Sequence, residues 1–501
     1  MAEVLLAHAF YIRNDPKQVE KMRPYAPLGT LYAASHLRKR GYQVALFDAM
    51  LAQGVGEYLE MLERLRPSFV ALYEDQFNFL NKMCLEQTRK AAVEMGRAAR
   101  RQGAQVVIAG SDISDHPEAY LGEAADFALM GEADDSLCLL LDRLSGRRKG
   151  PVEKVPGLAM ADPDSPGRII RNPLPEPERE PDRFSFPAWD LLDTDRYREA
   201  WTQAHGYFSL NLVSTRGCPF HCNWCAKPIW GQRYAMRSPA DVAEELALVK
   251  EQVNPDHIWF ADDIFGLQPR WVEQFADEVE RRDASIPFMI QSRVDLMTQK
   301  AVDALSRAGC VEVWMGAESG SQKILDAMDK GTKLPKIKAA RRRLGEAGIK
   351  ACFFIQFGYP GETFEDVMAT VNMVRELLPD DIGISVSYPL PGTKFHSMVK
   401  AQLEDKHHWK DSNDLAMMFQ GTYQTPFYRK LHRLLHRDLE LRHELRQSPS
   451  PNGTLLERLD RLNAHWFELG QMELQYRSES PTAIEKDYAQ PLEPDLSKRW
   501  N

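Results

Sequence analysis

Three cysteines fall within eight residues of the stretch "STRGCPFHCNWCAKPIWG" (214–231): Cys218, Cys222 and Cys225, in the spacing C-x3-C-x2-C. Thiolates are ligands for zinc and for iron–sulfur clusters. A structural zinc site wants four tetrahedral ligands, and a [4Fe–4S] cube normally takes one thiolate per iron. His221 lies inside the run and is the nominal fourth zinc ligand, but a residue directly beside Cys222 is poorly placed to share its metal. The other four cysteines, Cys84, Cys138, Cys310 and Cys352, are dispersed in helical or strand patterns, and Cys310 and Cys352 sit in or beside apolar runs that suit a core. The favoured chemistry is a cluster with three protein ligands and one open iron, able to chelate a substrate or cofactor as an open catalytic metal does. Zinc is the alternative.

The elements that must hold this loop are legible around it. Residues 204–400 alternate short apolar runs with helical patterns. Six of those runs predict strands: "SLNLVS" (209–214), "HIWFAD" (257–262), "PFMIQS" (287–292), "VEVWMG" (311–316), "ACFFIQF" (351–357) and "IGISVS" (382–387). Six such units make a partial (β/α)6 barrel, whose active groups gather at the C-terminal strand ends. The cysteine loop follows the first of these strands. Asp262 and Asp263 end the second; as paired carboxylates they invite acid–base chemistry, but capping or lining the barrel is the more economical role.

Residues 1–145 show a second β-α alternation, with strands predicted at 3–9, 42–49, 68–74, 104–111 and 126–132 and helical stretches that stop at glycine. That pattern predicts a parallel, doubly wound sheet, which binds ligands beyond its C-terminal strand ends. Residues 146–203 are dense in proline and charge and predict an extended linker. Residues 401–501 are polar and helical, with a basic amphipathic helix at 427–446 that suits either an outer face packed on the barrel or an acidic or lipid-like partner. The chain of 501 residues has a net charge of −9, which argues against a dedicated nucleic-acid binder. It has no apolar run long enough for a membrane span, and its N-terminus resembles a first strand rather than a signal peptide. Seven cysteines without a disulfide pattern predict a reducing, cytoplasmic setting.

The cysteine motif after a first barrel strand resembles the radical S-adenosylmethionine (SAM) superfamily. "HIWFADDIFG" (257–266), "MGAESGSQKILDAMDKGT" (315–332), "FIQFGYPGET" (354–363) and "SYPLPGTKF" (387–395) resemble its later barrel signatures, in the same order. The resemblance implies that Cys218, Cys222 and Cys225 hold a [4Fe–4S] cluster, that SAM chelates the fourth iron, and that an electron from the cluster cleaves SAM to a 5′-deoxyadenosyl radical. It further places Trp224 beside the adenine, Glu318 near the ribose hydroxyls or the SAM amine, and Arg293 on the SAM carboxylate as a bidentate fork, with a structural ion pair as its alternative. Gly316 precedes Glu318 at the strand end, and Gly358, with Ile355 nearby, lets backbone approach the adenine.

A doubly wound domain ahead of such a barrel resembles the cobalamin-dependent radical SAM class. The matching stretches are "YAPLGTLYAASHLRKRGYQVALFD" (25–48), "VVIAGSDISDHPE" (106–118) and "DFALMGEAD" (126–134). On that resemblance Tyr73, Glu74, Gly110 and Ser111, at the ends of the third and fourth strands, line the cobalamin edge. The histidine motif that many cobalamin domains carry after the first strand is missing: the loop "YIRNDPKQVEKMRPYAPLG" contains no histidine, and His8 and His116 lie outside it. Cobalamin is therefore expected base-off without a protein histidine on its lower face, or else the domain has lost it.

The implied activity is methylation of an unactivated carbon of a small-molecule or lipid-like substrate, with an electron donor such as flavodoxin or ferredoxin. Relatives that share the domain order, including anaerobic porphyrin-ring cyclases, make a radical SAM cyclase or rearrangement enzyme the alternative. A non-catalytic cobalamin- or cluster-binding redox protein is the alternative of another class, and the retained SAM-pocket signatures argue against it. A methylthiotransferase acting on tRNA would need three further clustered cysteines, which the first domain lacks.

Overall fold

The computed structural model describes residues 2–78, 86–165, 167–227, 229–403, 415–448, 453–479 and 481. Cys84 and parts of the C-terminal region fall outside these. In chain order the strands are β1 (Val4–Ala7), β2 (Val44–Phe47), β3 (Phe69–Tyr73), β4 (Gln105–Ala109), β5 (Phe127–Leu129), β6 (Leu158–Ala161), β7 (Ile169–Arg171), β8 (Ser209–Leu212), β9 (Thr215–Gly217), β10 (Tyr234–Met236), β11 (His257–Phe260), β12 (Phe288–Ser292), β13 (Cys310–Glu318), β14 (Lys350–Phe357) and β15 (Asp381–Val386).

The first sheet has the order β2-β1-β3-β4-β5-β6-β7. The first five strands are parallel, and β1 and β3 are buried at every position because helices cover both faces. The chain reverses its winding between β1 and β3, the switch point at which doubly wound sheets bind ligands. One expectation needs correcting. The proline-rich stretch 146–203 is not wholly a linker: β6 and β7 add to the sheet as antiparallel strands beside β5. They bury Leu158 and Ala159 and cover what would otherwise be an open strand edge. Strands of four and three residues flanked by proline leave too short an alternation to be seen in sequence.

The second sheet, β8-β11-β12-β13-β14-β15, is parallel throughout and forms the expected partial barrel. Leu210, Leu212, Ile258, Phe260, Ile290 and Val313 are buried on one face, and the alternate residues Trp259, Gln291, Trp314 and Phe354 stay half-buried on the other. Helices between the strands start on side-chain caps such as Ser238, Thr298 and Thr363, the last as a capping box with Asp366. The two sheets share a core. The amide of Asn211 on β8 accepts the Ala26 N–H at 2.7 Å and donates to its carbonyl at 2.9 Å, and Tyr25 meets Trp259 edge-on at 6.2 Å.

The basic helix is packed, not presented. Thr425–Gln447 buries Phe427, Tyr428, Leu431 and Leu435, and its fully buried Asp438 takes Arg375 at 2.7 Å and Arg442. Among the described residues no helix is long and apolar enough to cross a membrane.

Candidate active site

The cysteine loop is inserted between β9 and β10, which pair as a short antiparallel ribbon beside the barrel mouth. Its entry is fixed by Asp262. Oδ1 accepts the backbone N–H groups of Ser214 and Thr215 at 2.8 Å each, and Oδ2 accepts the Ser214 hydroxyl at 2.6 Å. Burial pushes the Asp262 carboxyl up to about 6, against those hydrogen bonds. The acidic pair at the end of the second barrel strand thus supplies a loop anchor through Asp262.

Cys218, Cys222 and Cys225 are all free and half-buried on this one loop, and Cys218 and Cys222 pack beside Phe220, Ile264 and Leu267. Cys138, Cys310 and Cys352 are free and buried elsewhere. Among the described residues no three His, Cys, Asp or Glu side chains stand arranged to hold a metal ion. Burial, with Cys222 adding to it, pushes the Cys225 thiol up to about 12, and burial also raises Cys218. Cluster binding must therefore release protons from this loop. Three thiols without a fourth fit an open-iron cluster better than structural zinc.

Two cations stand against Cys222. Arg293, just after β12, points Nη1 at the Cys222 sulfur from 3.9 Å and lies over the Phe220 ring at 3.9 Å. It is held by Asp295 at 2.9 Å and by the Lys330 carbonyl at 2.9 Å, so both roles expected of it, ligand fork and structural pair, are open to its geometry. Lys330 is the second cation, and nothing in the sequence pattern singled it out beyond its place in "MDKGT". Its ammonium pairs with Glu318 at 2.8 Å and lies 6.0 Å from the Trp224 ring. Burial alone would lower the Lys330 pKa, but Glu318 and the neighbouring Cys222 raise it overall. Glu318 has a left-handed backbone, φ 57°, which turns its carboxylate back over Gly316, where a Cβ would run into both Glu318 Oε1 and Lys330 Nζ. Trp224 packs against the cluster of Ile324, Met328, Tyr359 and Phe395, and its buried Nε1 has no partner.

Ile355 is buried and sits in register with Glu318. Gly358 donates its N–H to Glu362 at 2.7 Å, and a Cβ there would meet Met417 at 3.0 Å and Tyr428 at 3.2 Å. The C-terminal segment therefore leaves no room for a side chain at Gly358. Glu362 is fully buried with one oxygen unpartnered, and burial pushes its carboxyl from 4.5 up to about 8, the Gly358 N–H working the other way. Because the folded-state pKa is raised, its contribution to stability is present below about pH 4.5 and is lost as pH rises through about 8. The melting temperature of the wild type is expected to fall across that window relative to Glu362→Gln, and to run parallel above it. Parallel curves throughout would refute the assignment.

At the C-terminal edge of the first sheet, Glu74 Oε1 accepts the Ala9 N–H at 2.8 Å, bridging β3 to the end of β1 at the switch point. Burial pushes the Glu74 carboxyl up to about 7, with His8 opposing. The Glu74 Oε2, the Ser111 hydroxyl and the Tyr25 hydroxyl are buried without partners. Gly110, at φ 153°, keeps this edge tight: a Cβ there would stand 2.7 Å from the Glu74 Cβ. The Tyr73 hydroxyl instead accepts from Gln76 at 2.9 Å inside the domain. His8 is engaged by Asp48 at 2.8 Å, which also takes Tyr197 at 2.6 Å. Unsatisfied buried polar groups at a sheet's ligand edge fit a large polar cofactor such as a corrin with its side-chain amides.

Residues 212–374 match the family model described as Radical SAM superfamily. The chain is 26% identical over 374 residues to an uncharacterized methyltransferase of Pyrococcus horikoshii, covering 74% of this chain and 77% of that one. It is 25% identical to the anaerobic magnesium-protoporphyrin IX monomethyl ester cyclase of Rubrivivax gelatinosus, over 73% of this chain and 65% of the relative. The structure of OxsB, a cobalamin-dependent S-adenosylmethionine radical enzyme with aqua-cobalamin and SAM bound, superposes with a TM-score of 0.67 at 17% identity, covering 94% of this chain and 76% of that one. The stretch that matches the radical SAM model carries the three cysteines on the loop after the first barrel strand, and the fold of the chain is that of the cobalamin-dependent radical SAM enzyme OxsB. A [4Fe–4S] cluster and SAM are the cofactors that this domain implies.

Proposed function

We propose that this enzyme is a cobalamin-dependent radical SAM methyltransferase acting on an unactivated carbon of a small-molecule or lipid-like substrate. The observation that carries the reading is the meeting of the two sheets. The loop that follows β1, at the ligand edge of the first sheet, packs against the barrel through Ala26 with Asn211 and Tyr25 with Trp259, and the unpartnered groups of Glu74, Ser111 and Tyr25 lie at that same edge. When bound, the cluster, SAM and cobalamin supply reductive cleavage of a sulfonium and a transferable methyl group.

The chain's own part is to bind and to orient. Cys218, Cys222 and Cys225 hold the cluster. Arg293 and Lys330 place positive charge beside Cys222, which favours an anionic cluster and a carboxylate ligand. Glu318 accepts hydrogen bonds from an amine or hydroxyls, with Trp224 beside it. Glu74, with its raised carboxyl, and Ser111 offer hydrogen bonds to amides at the first sheet's edge. Trp314 and Phe354, stacked at 4.9 Å on the barrel's half-buried face, and Trp259 give the substrate an apolar wall that excludes water. A small acidic flavodoxin or ferredoxin is the electron donor, and the cytoplasm the setting.

Reconstituted under reducing, anaerobic conditions, the protein is expected to convert SAM to 5′-deoxyadenosine and to take up cobalamin, read from the corrin absorption. No 5′-deoxyadenosine would refute radical chemistry. Cleavage of SAM without cobalamin uptake would refute methyl transfer and leave cyclisation, the activity named for the Rubrivivax relative. S-adenosylhomocysteine formed alongside 5′-deoxyadenosine separates the two in favour of methylation.

A further inference from the structure

Glu132, in the "GEAD" run of the first domain, lies outside every role assigned above. It is 6% exposed and reaches across to the barrel. Its Oε1 accepts the Arg216 guanidinium, and the Trp230 indole N–H at 3.3 Å. Its Oε2 accepts the backbone N–H of Glu178 at 2.6 Å. Arg216 and Trp230 are the residues that bracket the cysteine loop: one lies two positions before Cys218, the other five after Cys225. Arg216 also takes Asp134 at 3.1 Å and lies over the Phe184 ring at 4.1 Å, while the Trp230 ring meets Phe77 at 5.2 Å. Burial opposes the charged guanidinium, and Asp134 and Glu132 more than offset it.

We infer that Glu132 is a positioning residue for the iron–sulfur loop: one buried carboxylate of the first domain clamps both ends of the segment that carries Cys218, Cys222 and Cys225. The described residues of the loop form no helix or strand between β9 and β10, so its path is set by point contacts: buried Asn223 pins its middle to Ala327, Met328 and Tyr359, and its two ends need holders of their own. Asp262 anchors the entry from within the barrel, but Glu132 joins entry to exit and ties both to the first sheet and to the Pro-rich stretch at Glu178. A buried carboxylate with three donors and a shared cation is costly to break, because truncation leaves the guanidinium and the indole N–H short of partners in a dry interface. The clamp therefore fixes where the loop stands relative to the first domain's ligand edge, which sets the separation of the two cofactors. That last consequence rests on the proposed function; the clamp itself does not.

The test is hydrogen exchange on the cluster-free chain, followed by iron release from the reconstituted protein to a ferrous chelator. Glu132→Ala is expected to raise exchange about tenfold across 214–237 while the peptides of β1, β3 and β4 keep their wild-type rates. It should also release iron about tenfold faster. Glu132→Gln keeps one acceptor oxygen, which can take Arg216 and Trp230 but sets an NH2 against the Glu178 N–H, so it is expected to restore part of the protection and no more. Trp230→Phe removes the indole donor and keeps an aromatic ring against Phe77, so it tests the clamp even if the alanine variant does not fold; it should raise exchange at 227–237. Asp190→Asn, on the exposed Arg38 pair, is the control. Wild-type exchange at 214–237 in both Glu132→Ala and Trp230→Phe would overturn the inference. So would a rise spread evenly over the first sheet, because Glu132 would then serve only its own domain. Failure of the wild type to take up iron would count against the proposed function and leave the exchange result standing.

Discussion

Replacing Cys218, Cys222 or Cys225 by alanine is expected to abolish 5′-deoxyadenosine formation in each case, and to cut reconstituted iron, while alanine at Cys84, Cys138, Cys310 or Cys352 leaves both intact. The three ligands have no redundancy. They share one half-buried loop, and Cys138, Cys310 and Cys352 are buried at other places in the fold. A cluster held by these three residues would be left with two thiolates and one iron without a protein ligand, and would be lost or misplaced. The measurements are iron per chain, the visible absorption of the cluster, and 5′-deoxyadenosine by chromatography. Loss of the cluster from one of the other four variants would show that the loop had been misread.

The second large effect is expected at Lys330. Lys330→Met keeps the length of the side chain and removes its charge, leaving Glu318 buried at the strand end without its 2.8 Å partner. Removing one member of a buried pair typically costs ~3 kcal/mol or more of stability, and because Glu318 then loses the partner that orients it, SAM affinity and cleavage should fall as well. Gly316→Ala is the milder companion. Its Cβ would press on the tips of both Glu318 and Lys330, which are long side chains that can swing aside, so the fold should survive while the pair separates. Its melting temperature should stay near the wild type while SAM binding, read by equilibrium dialysis, drops about tenfold. Undiminished SAM binding in Lys330→Met would remove the Lys330–Glu318 pair from the site.

These expectations differ in how far the sequence alone supports them. The cysteine variants could be designed without a structure, because spacing is a local property and all three ligands lie within eight residues. The same holds for the six barrel strands and the five parallel strands ahead of them. Each is a run of apolar residues closed by glycine or a polar turn, so local pattern and final burial agree. Arg293 and Glu318 were legible as strand-end charges, though their partners Asp295 and Lys330 were not singled out.

What only the tertiary structure decided is every relation between distant segments. Glu132 and Arg216 are 84 positions apart, and nothing in "GEAD" or in "STRGC" announces that one carboxylate will close both ends of the cysteine loop. Met417 and Tyr428 cover Gly358 from the C-terminal region, Lys330 comes back onto Glu318 across a helix, and β6 and β7 leave a proline-rich stretch to extend the first sheet. The physical reason is the same in each case. Side-chain type and short-range period encode which face of an element is buried, and hence the elements themselves. Which buried charge meets which is settled only when the elements pack, where a carboxylate or guanidinium removed from water must find its partner wherever the fold has put one.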